Sequence, residues 1–406
     1  MLESSKERPG LNVHVRGRGI VVDTTLKNPE PNRAFKRMLA EKEKGNPLLL
    51  RDVHNLQRRN GKSALAFSTK PDQDTRRYKI DYDESVRSLG GNGINVGIAY
   101  LNTLRAFDST GTLAPETVFH SRVFNRQIEE LLKGVIPPEQ FHLSSRPDRT
   151  PRKVYWIPHE GDLLYLPVHT PHLQKEQDPL GGNADDAETH FISSTADQTP
   201  VWTDLIARVK RNPESHLVVM PGRNNVPPET EHELMQVTDL VTFNREEAER
   251  YLGRTNSNLL AEVKKGGPDN TGILAMAISI TGPKRVLITN GPYAVALYER
   301  GMKEAIMVSP PAVASSRDII RDKVKSIVIS EMPIFTGCGD TLVGVFMALE
   351  KLTRMGIMEL KKEEQLQLAV NISSFQAWNP ASHIGALQPS DLQALADTNP
   401  VTKMAA

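Results

Sequence analysis

Thr336-Gly337-Cys338-Gly339-Asp340 runs directly into Thr341-Leu342-Val343-Gly344-Val345-Phe346-Met347-Ala348-Leu349-Glu350-Lys351-Leu352. Leu342, Val345, Phe346, Leu349 and Leu352 recur at helical spacing, so residues 341 to 353 are expected to form an amphipathic helix. The glycines ahead of it let a ligand approach the backbone closely. The first N–H groups of a helix have no acceptor within it and point towards the chain that leads in. Such a loop can hold the charge that develops on a transferring phosphoryl group. Asp340 would stand beside that group, where its carboxylate can take a proton from an attacking hydroxyl. The plainer reading is that Asp340 only caps the helix. Cys338 reads as a small loop residue or as a nucleophile, although no His stands near it in the sequence.

Upstream of this loop, short β-branched runs alternate with helical patterns. Strands are expected at Gly19-Ile20-Val21-Val22-Asp23, His190-Phe191-Ile192, Leu217 to Gly222, Leu240-Val241-Thr242-Phe243-Asn244 and Arg285-Val286-Leu287-Ile288-Thr289. Helices are expected at Phe124 to Leu132, Val201 to Val209 and Glu246 to Leu252, the last ending at Gly253. This alternation predicts an α/β fold with a mainly parallel sheet covered on both faces. Ligands of such sheets bind beyond the carboxyl ends of the strands, where Asp23, Asn244 and Asn290 fall. Tyr78-Lys79-Ile80-Asp81-Tyr82 alternates as a strand. Lys153 to Ile157 and Leu163 to Leu166, joined by His159-Glu160-Gly161-Asp162, read as a β-hairpin. Residues 27 to 77 are charged and poorly patterned, and read as an excursion of helix and loop. The Asp- and Gly-rich stretch from Glu176 to Glu188 reads as a surface loop.

Two further clusters bear chemistry. Gly90-Gly91-Asn92-Gly93-Ile94-Asn95 opens a helix through a glycine turn, which lets a substrate press against backbone while Asn95 reaches its hydroxyls. Asn244-Arg245-Glu246-Glu247 ends a strand. That spacing can set Asn244 and Glu247 beside phosphates and a hydrated Mg²⁺, or it can simply form a capping box.

Composition narrows the class. The 406 residues carry a formal net charge of +1, with 38% hydrophobic and 24% charged residues. This is the composition of a large globular unit. It argues against a nucleic-acid binder that works through a global basic field. The single cysteine allows no intrachain disulfide and points to a reducing compartment. The polar N-terminus lacks the apolar stretch of a signal peptide, and no run is long enough to span a membrane, so a cytoplasmic protein is expected. His169 and His172 form an H-x-x-H without further ligands nearby and read as loop residues.

The order and spacing of the clusters resemble the ribokinase-like (PfkB) carbohydrate kinase family, from about Gly19 to Leu395. Gly90 to Asn95 is similar to its N-terminal signature, and Asn244 to Glu247 to its N-x-x-E. Ile288-Thr289-Asn290-Gly291 is similar to its nucleotide-loop strand end. Gly337-Cys338-Gly339-Asp340 is similar to its G-A-G-D, and His383-Ile384-Gly385-Ala386 to its closing R-x-G-A. The resemblance implies a single ribokinase-like unit over 1–406, a three-layer α/β/α sandwich with a small β lid drawn from about 27–88 and 150–170. It implies transfer of the γ-phosphoryl group of ATP, with Mg²⁺, to a sugar or sugar-phosphate hydroxyl. Asp340 is then the base, and the amides of Gly337, Cys338 and Gly339 form the anion hole. Asp23, Gly91 and Asn95 hold substrate. Asn244, Glu247, Thr289, Gly291 and Gly385 serve the nucleotide, with Glu247 reaching Mg²⁺ through water. A homodimer through the lid is the expected assembly.

The chain also departs from the family. Ile334-Phe335 stand where Asp-Thr is usual, so activation by a bound monovalent cation is not implied. Asn92 stands in place of a lysine, and His383 in place of an arginine. Asp23 and Gly90 are 67 positions apart, more chain than the family uses there. A nucleoside kinase and an ADP-dependent sugar kinase share the scaffold and stay open as alternatives, as does a non-enzymatic ligand-binding relic.

Overall fold

A computed structural model describes residues 13–16, 21–43, 48–57, 61–69, 78–123, 126–148, 152–159, 162–168, 189–193, 199–222, 227–267, 270–324, 333, 335, 337–379 and 388–397. Among the described residues, nine strands form the main sheet. Seven are parallel, in the spatial order Arg285–Thr289, Leu240–Asn244, His216–Met220, Thr189–Ser193, Val13–Arg16, Thr117–Val123 and Phe141–Asp148. Val295–Glu299 and Ile306–Val308 extend the sheet antiparallel at one edge.

Helices cover both faces because the strands bury residues on both. Val218, Met220 and Leu287 pack into a core with helices Asn92–Phe107, Cys338–Arg354, Lys362–Gln376 and Pro389–Asp397. Leu217 and Val219 pack with Trp202, Leu205 and Ile206 on the opposite face. Val286 and Ile288 pack there with Tyr251, Leu252 and Leu274. The neighbouring residues of each strand thus face opposite helical layers, as the two-residue period of a strand requires. The result is a three-layer α/β/α sandwich.

Two smaller sheets stand apart from this one. The first runs Asp162–Pro167, Arg152–His159, Val21–Lys27, Glu84–Gly90. The expected hairpin is present, with His159 opposite Asp162. The second is wholly antiparallel, in the order Glu30–Pro31, Tyr78–Tyr82, Ser63–Ser68, Asp52–Gln57, and is joined by helix Arg33–Glu43. Leu26, Tyr155, Ile157, Leu164 and Leu166 of the first share a core with Phe35, Leu65, Phe67, Ile80 and Tyr82 of the second layer. The excursion after Lys27 therefore contains strands as well as a helix. It forms a second layer on the first small sheet.

Three expectations need correction. The first strand of the main sheet is Val13–Arg16, not the more apolar run at Gly19 to Asp23. Val21–Lys27 belongs to the small sheet, and Asp23 pairs mid-strand with Val154 and Ser88. The helix expected to stop at Gly253 continues to Thr255, because its backbone ladder closes on Asn256, whose N–H bonds to the Leu252 carbonyl. The helix expected from Thr341 begins three residues earlier, at Cys338. Gly337 has φ +84, a conformation open to glycine, and this turns the chain straight into the helix.

Candidate active site

Three strand ends and one helix start converge beyond the carboxyl edge of the main sheet. Asn244 and Thr289 are register partners on adjacent strands. Met220 ends the next strand, followed by Gly222 with φ +62. Gly339 and Asp340 lie in the first turn of helix Cys338–Arg354. Together with Asn92, Thr242, Glu247 and apolar neighbours they line a cleft of about 130 Å³.

The position of Asp340 follows from how two helices pack. A Cβ at Gly344 would lie 2.3 Å from the Val96 carbonyl oxygen and 2.7 Å from Ala99 Cβ. Only glycine lets helix Cys338–Arg354 lie this close to helix Asn92–Phe107. One turn towards the cleft, the same approach brings Asn95 to Asp340. Asn95 Nδ2 donates to Asp340 Oδ2 at 3.0 Å. Asn95 Oδ1 and Thr341 Oγ1 are buried without a partner among the described residues.

Asp340 is not the cap of its helix. The cap position is Gly337, which has no side-chain capping bond, and Asp340 sits in the first turn. The helix ladder begins with Thr341 N–H to the Gly337 carbonyl at 2.9 Å. The earlier amides, including Gly339, therefore have no acceptor within the helix. A Cβ built on Gly339 meets nothing within 4 Å, so the space beside its Cα is open. The Cys338 N–H is turned back to the Phe335 carbonyl at 3.3 Å. Burial, reinforced by the neighbouring Asp340 charge, pushes the Cys338 thiol up to about 12. It is protonated at neutral pH, unlike an activated nucleophile.

Asn244 and Glu247 form the capping box of helix Arg245–Thr255. Asn244 Oδ1 accepts from the Glu247 N–H at 2.9 Å, and Glu247 Oε2 accepts from the Asn244 N–H at 3.1 Å. Both nevertheless line the cleft. Capping fixes where these polar groups stand and leaves them at the cleft wall. Asn290 turns the chain after its strand, its N–H bonded to Ala294 O at 2.9 Å. Gly291, at φ +54, has open space around it but is not in the cleft wall.

The structure thus brings Gly339, Asp340, Asn244, Glu247 and Thr289 into one cleft, with Asn95 bonded to Asp340. Gly91 immediately precedes the wall residue Asn92. Gly337 and Cys338 sit behind the wall, in the turn that shapes it. The Asp23 backbone lies in the small sheet; its side chain, Gly385, His383, Ile334 and the H-x-x-H histidines lie outside the described residues. Asn92, Met220, Gly222 and Thr242 were not singled out from sequence as site residues. Met220-Pro221-Gly222 was nonetheless legible as a strand end, the same signal that marked Asn244.

No protein-family model matches the chain, and no curated protein matches it. Solved structures do. Ribokinase from Cryptococcus neoformans var. grubii serotype A in complex with ADP is 13% identical over 96% of this chain and 99% of that one, with a TM-score of 0.58. Arabidopsis thaliana ribokinase complexed with ribose and ATP is 13% identical over 96% of this chain and 100% of that one, with a TM-score of 0.57. The chain has the ribokinase-like fold. Anopheles gambiae adenosine kinase, in complex with P1,P4-di(adenosine-5) tetraphosphate, matches at 12% identity over 94% of this chain and 99% of its own, with a TM-score of 0.57. At such identities the likeness is one of fold. Within this ribokinase-like frame, the cleft occupies the carboxyl edge of the sheet, where open α/β folds bind ligands.

Proposed function

We propose that the protein is a small-molecule kinase that transfers the γ-phosphoryl group of ATP to a hydroxyl of a sugar or sugar phosphate. The observation that carries this reading is the placement of Asp340. It stands in the first turn of a helix, in one cleft with Gly339, Asn244, Glu247 and Thr289, and holds a hydrogen bond from Asn95.

Asp340 accepts the proton of the attacking hydroxyl as its oxygen bonds to the γ-phosphorus and the bond from that phosphorus to the bridging oxygen breaks, releasing ADP. The Asn95 amide keeps the carboxylate pointed at the hydroxyl. The Gly339 amide and the helix N-terminus hold the negative charge of the transferring group, acting from fixed positions. Asn95 is proposed to act at the acceptor site through Asp340, which its Nδ2 orients. Asp23 and Gly91 are proposed to complete the acceptor site. Thr289, Gly291 and Gly385 would line the nucleotide site, with Gly337 and Cys338 shaping the anion hole.

Among the described residues, no group of three or more His, Cys, Asp or Glu is placed to hold a metal ion. The cleft instead offers Glu247 beside an amide and a hydroxyl. This donor set fits a Mg²⁺ that keeps mostly water and phosphate oxygens as ligands. When bound, such an ion neutralises part of the phosphate charge.

The test is a coupled assay of the purified chain with ribose, fructose 6-phosphate and adenosine, each against ATP and ADP, with and without Mg²⁺. Turnover of a sugar or sugar phosphate with ATP and Mg²⁺, abolished in Asp340→Asn, is expected. Turnover of adenosine alone would move the acceptor to nucleosides, as the likeness to adenosine kinase allows. No turnover with any acceptor, or full turnover in Asp340→Asn, would overturn the catalytic reading.

A further inference from the structure

Residues 28–83 leave and rejoin a single β-hairpin. Lys27 and Glu84 are register partners on strands Val21–Lys27 and Glu84–Gly90, and their side chains form an ion pair. The Asp83 N–H donates to the Lys27 carbonyl at 3.1 Å, and Asn28 Nδ2 donates to Asp83 Oδ2 at 2.9 Å. Asn28, at φ +47, turns the chain out of the hairpin in the left-handed region that asparagine tolerates. The insertion therefore hangs from two adjacent residues. The small sheet that carries it takes all four of its strands from outside 28–83.

What that sheet lacks without the insertion is a cover. Tyr155 is in register with Leu166 and with Thr24, and Ile157 with Leu164. Leu26 stands two residues beyond Thr24, so these side chains share one face. Leu26, Tyr155, Ile157, Leu164 and Leu166 are each at most 8% exposed. Every other buried residue of their core comes from 28–83, with Phe35, Leu65 and Phe67 among them. The insertion is also tied down by polar contacts. Tyr155 shares a hydrogen bond with the Asn55 side chain, and the Leu50 N–H donates to the Pro167 carbonyl at 2.9 Å.

An apolar sheet face of this kind has to be buried against another layer. Every copy of the chain would carry the same face, and two such faces can bury each other about a two-fold axis. Residues 28–83 supply within one chain the layer that a second copy would supply between chains.

We propose that the small sheet carries a self-association face, which residues 28–83 occupy in place of a second copy. The protein is accordingly a monomer rather than the homodimer expected through the lid. Neither the face nor its cover contains a residue of the catalytic cleft, so assembly and turnover are separate readouts.

The test is sedimentation equilibrium over about 1–100 µM protein. The full-length wild type is expected at the monomer mass throughout, and a dimer would overturn the proposal. Two variants then uncover the face. Phe67→Asp, in the full chain, places a charge in the shared core and detaches the cover. The second variant deletes residues 29–82 and carries Asp83→Gly. It closes the hairpin with an Asn-Gly turn, for which Asn28 already has the required positive φ. Either variant should raise the mass about twofold at the upper concentrations. Adding Leu166→Asp, on the uncovered face, should return each to the monomer mass. Variants that melt cooperatively yet stay monomeric overturn the proposal. So does a dimer that Leu166→Asp leaves intact, and so does growth beyond the dimer, since a two-fold pairing closes. Should neither variant melt cooperatively, the wild-type mass still decides between the monomer and the homodimer.

Discussion

The two ends of helix Cys338–Arg354 face unlike surroundings. At its N-terminus the cleft wall contains no lysine or arginine among the described residues, only Asp340, Glu247, small residues and polar or apolar neighbours. At its C-terminus the wall of a second cavity holds five cationic side chains, and Lys351 and Arg354 come from the helix itself. The helix dipole explains part of the pattern, since it favours acids at the start and bases at the end. The contrast also separates two ways of meeting an anion. Backbone amides would hold charge at fixed positions and would not compete for the proton that Asp340 is proposed to take. Flexible cations bind charge strongly but place it less well.

Asp340→Asn should break the N-terminal half of this contrast. We expect turnover to fall about a thousandfold, within the range for loss of a general base, with an unchanged melting temperature. A loss below about tenfold would mean the cleft does not depend on this carboxylate. Gly344→Val tests the shared frame between the two ends. Its side chain would collide with the Val96 carbonyl and Ala99. Urea denaturation should show a loss of about 3 kcal/mol, the upper range for overpacking.

Asp239→Asn sharpens the C-terminal half. Burial alone would raise the Asp239 pKa, but His216, Lys284 and the Leu217 N–H outweigh it and hold the carboxyl at about 2, against an ordinary 3.8. A lowered folded pKa stabilises above the unfolded value and is lost as pH falls through the folded one. The substitution should therefore cost about 2 kcal/mol at pH 7. The difference from wild type should shrink between about pH 4 and pH 2. A pH-independent difference would show that packing, not charge, carries the effect. Cys338→Ala is the smallest perturbation. With a thiol near 12, the side chain is not poised as a nucleophile. Turnover should stay within about threefold, and iodoacetamide should label the wild type slowly at pH 8.

Much of the cleft was legible because its residues obey local rules. Asn244 and Thr289 end apolar strands, and Asp340 follows glycines before an amphipathic helix. Each signal spans only a few residues. What sequence missed depends on partners far along the chain. Asp52–Gln57 is mostly exposed and shows no alternation, so nothing marks it as a strand until Ser63–Ser68 pairs with it. Val13–Arg16 is only four residues long, and the more apolar Val21-Val22 nearby drew the assignment. The Asn95 bond to Asp340 joins residues 245 positions apart and rests on the close helix contact at Gly344. The cavity at the far end of the sheet is assembled from helix residues and the first residues of three strands, which carry no motif.

The second layer on the small sheet has a mechanical consequence. A single thin sheet can flex strand by strand. Here Leu26, Tyr155, Ile157, Leu164 and Leu166 are locked into a core with Phe35, Leu65 and Phe67. The two sheets share one core, so any bending would fall on the strands that leave them. One of them, Glu84–Gly90, passes through Gly91 at φ +104 straight into helix Asn92–Phe107. Gly91 lies four residues before Asn95. A displacement of this strand would reach, with almost no intervening chain, the amide that holds Asp340.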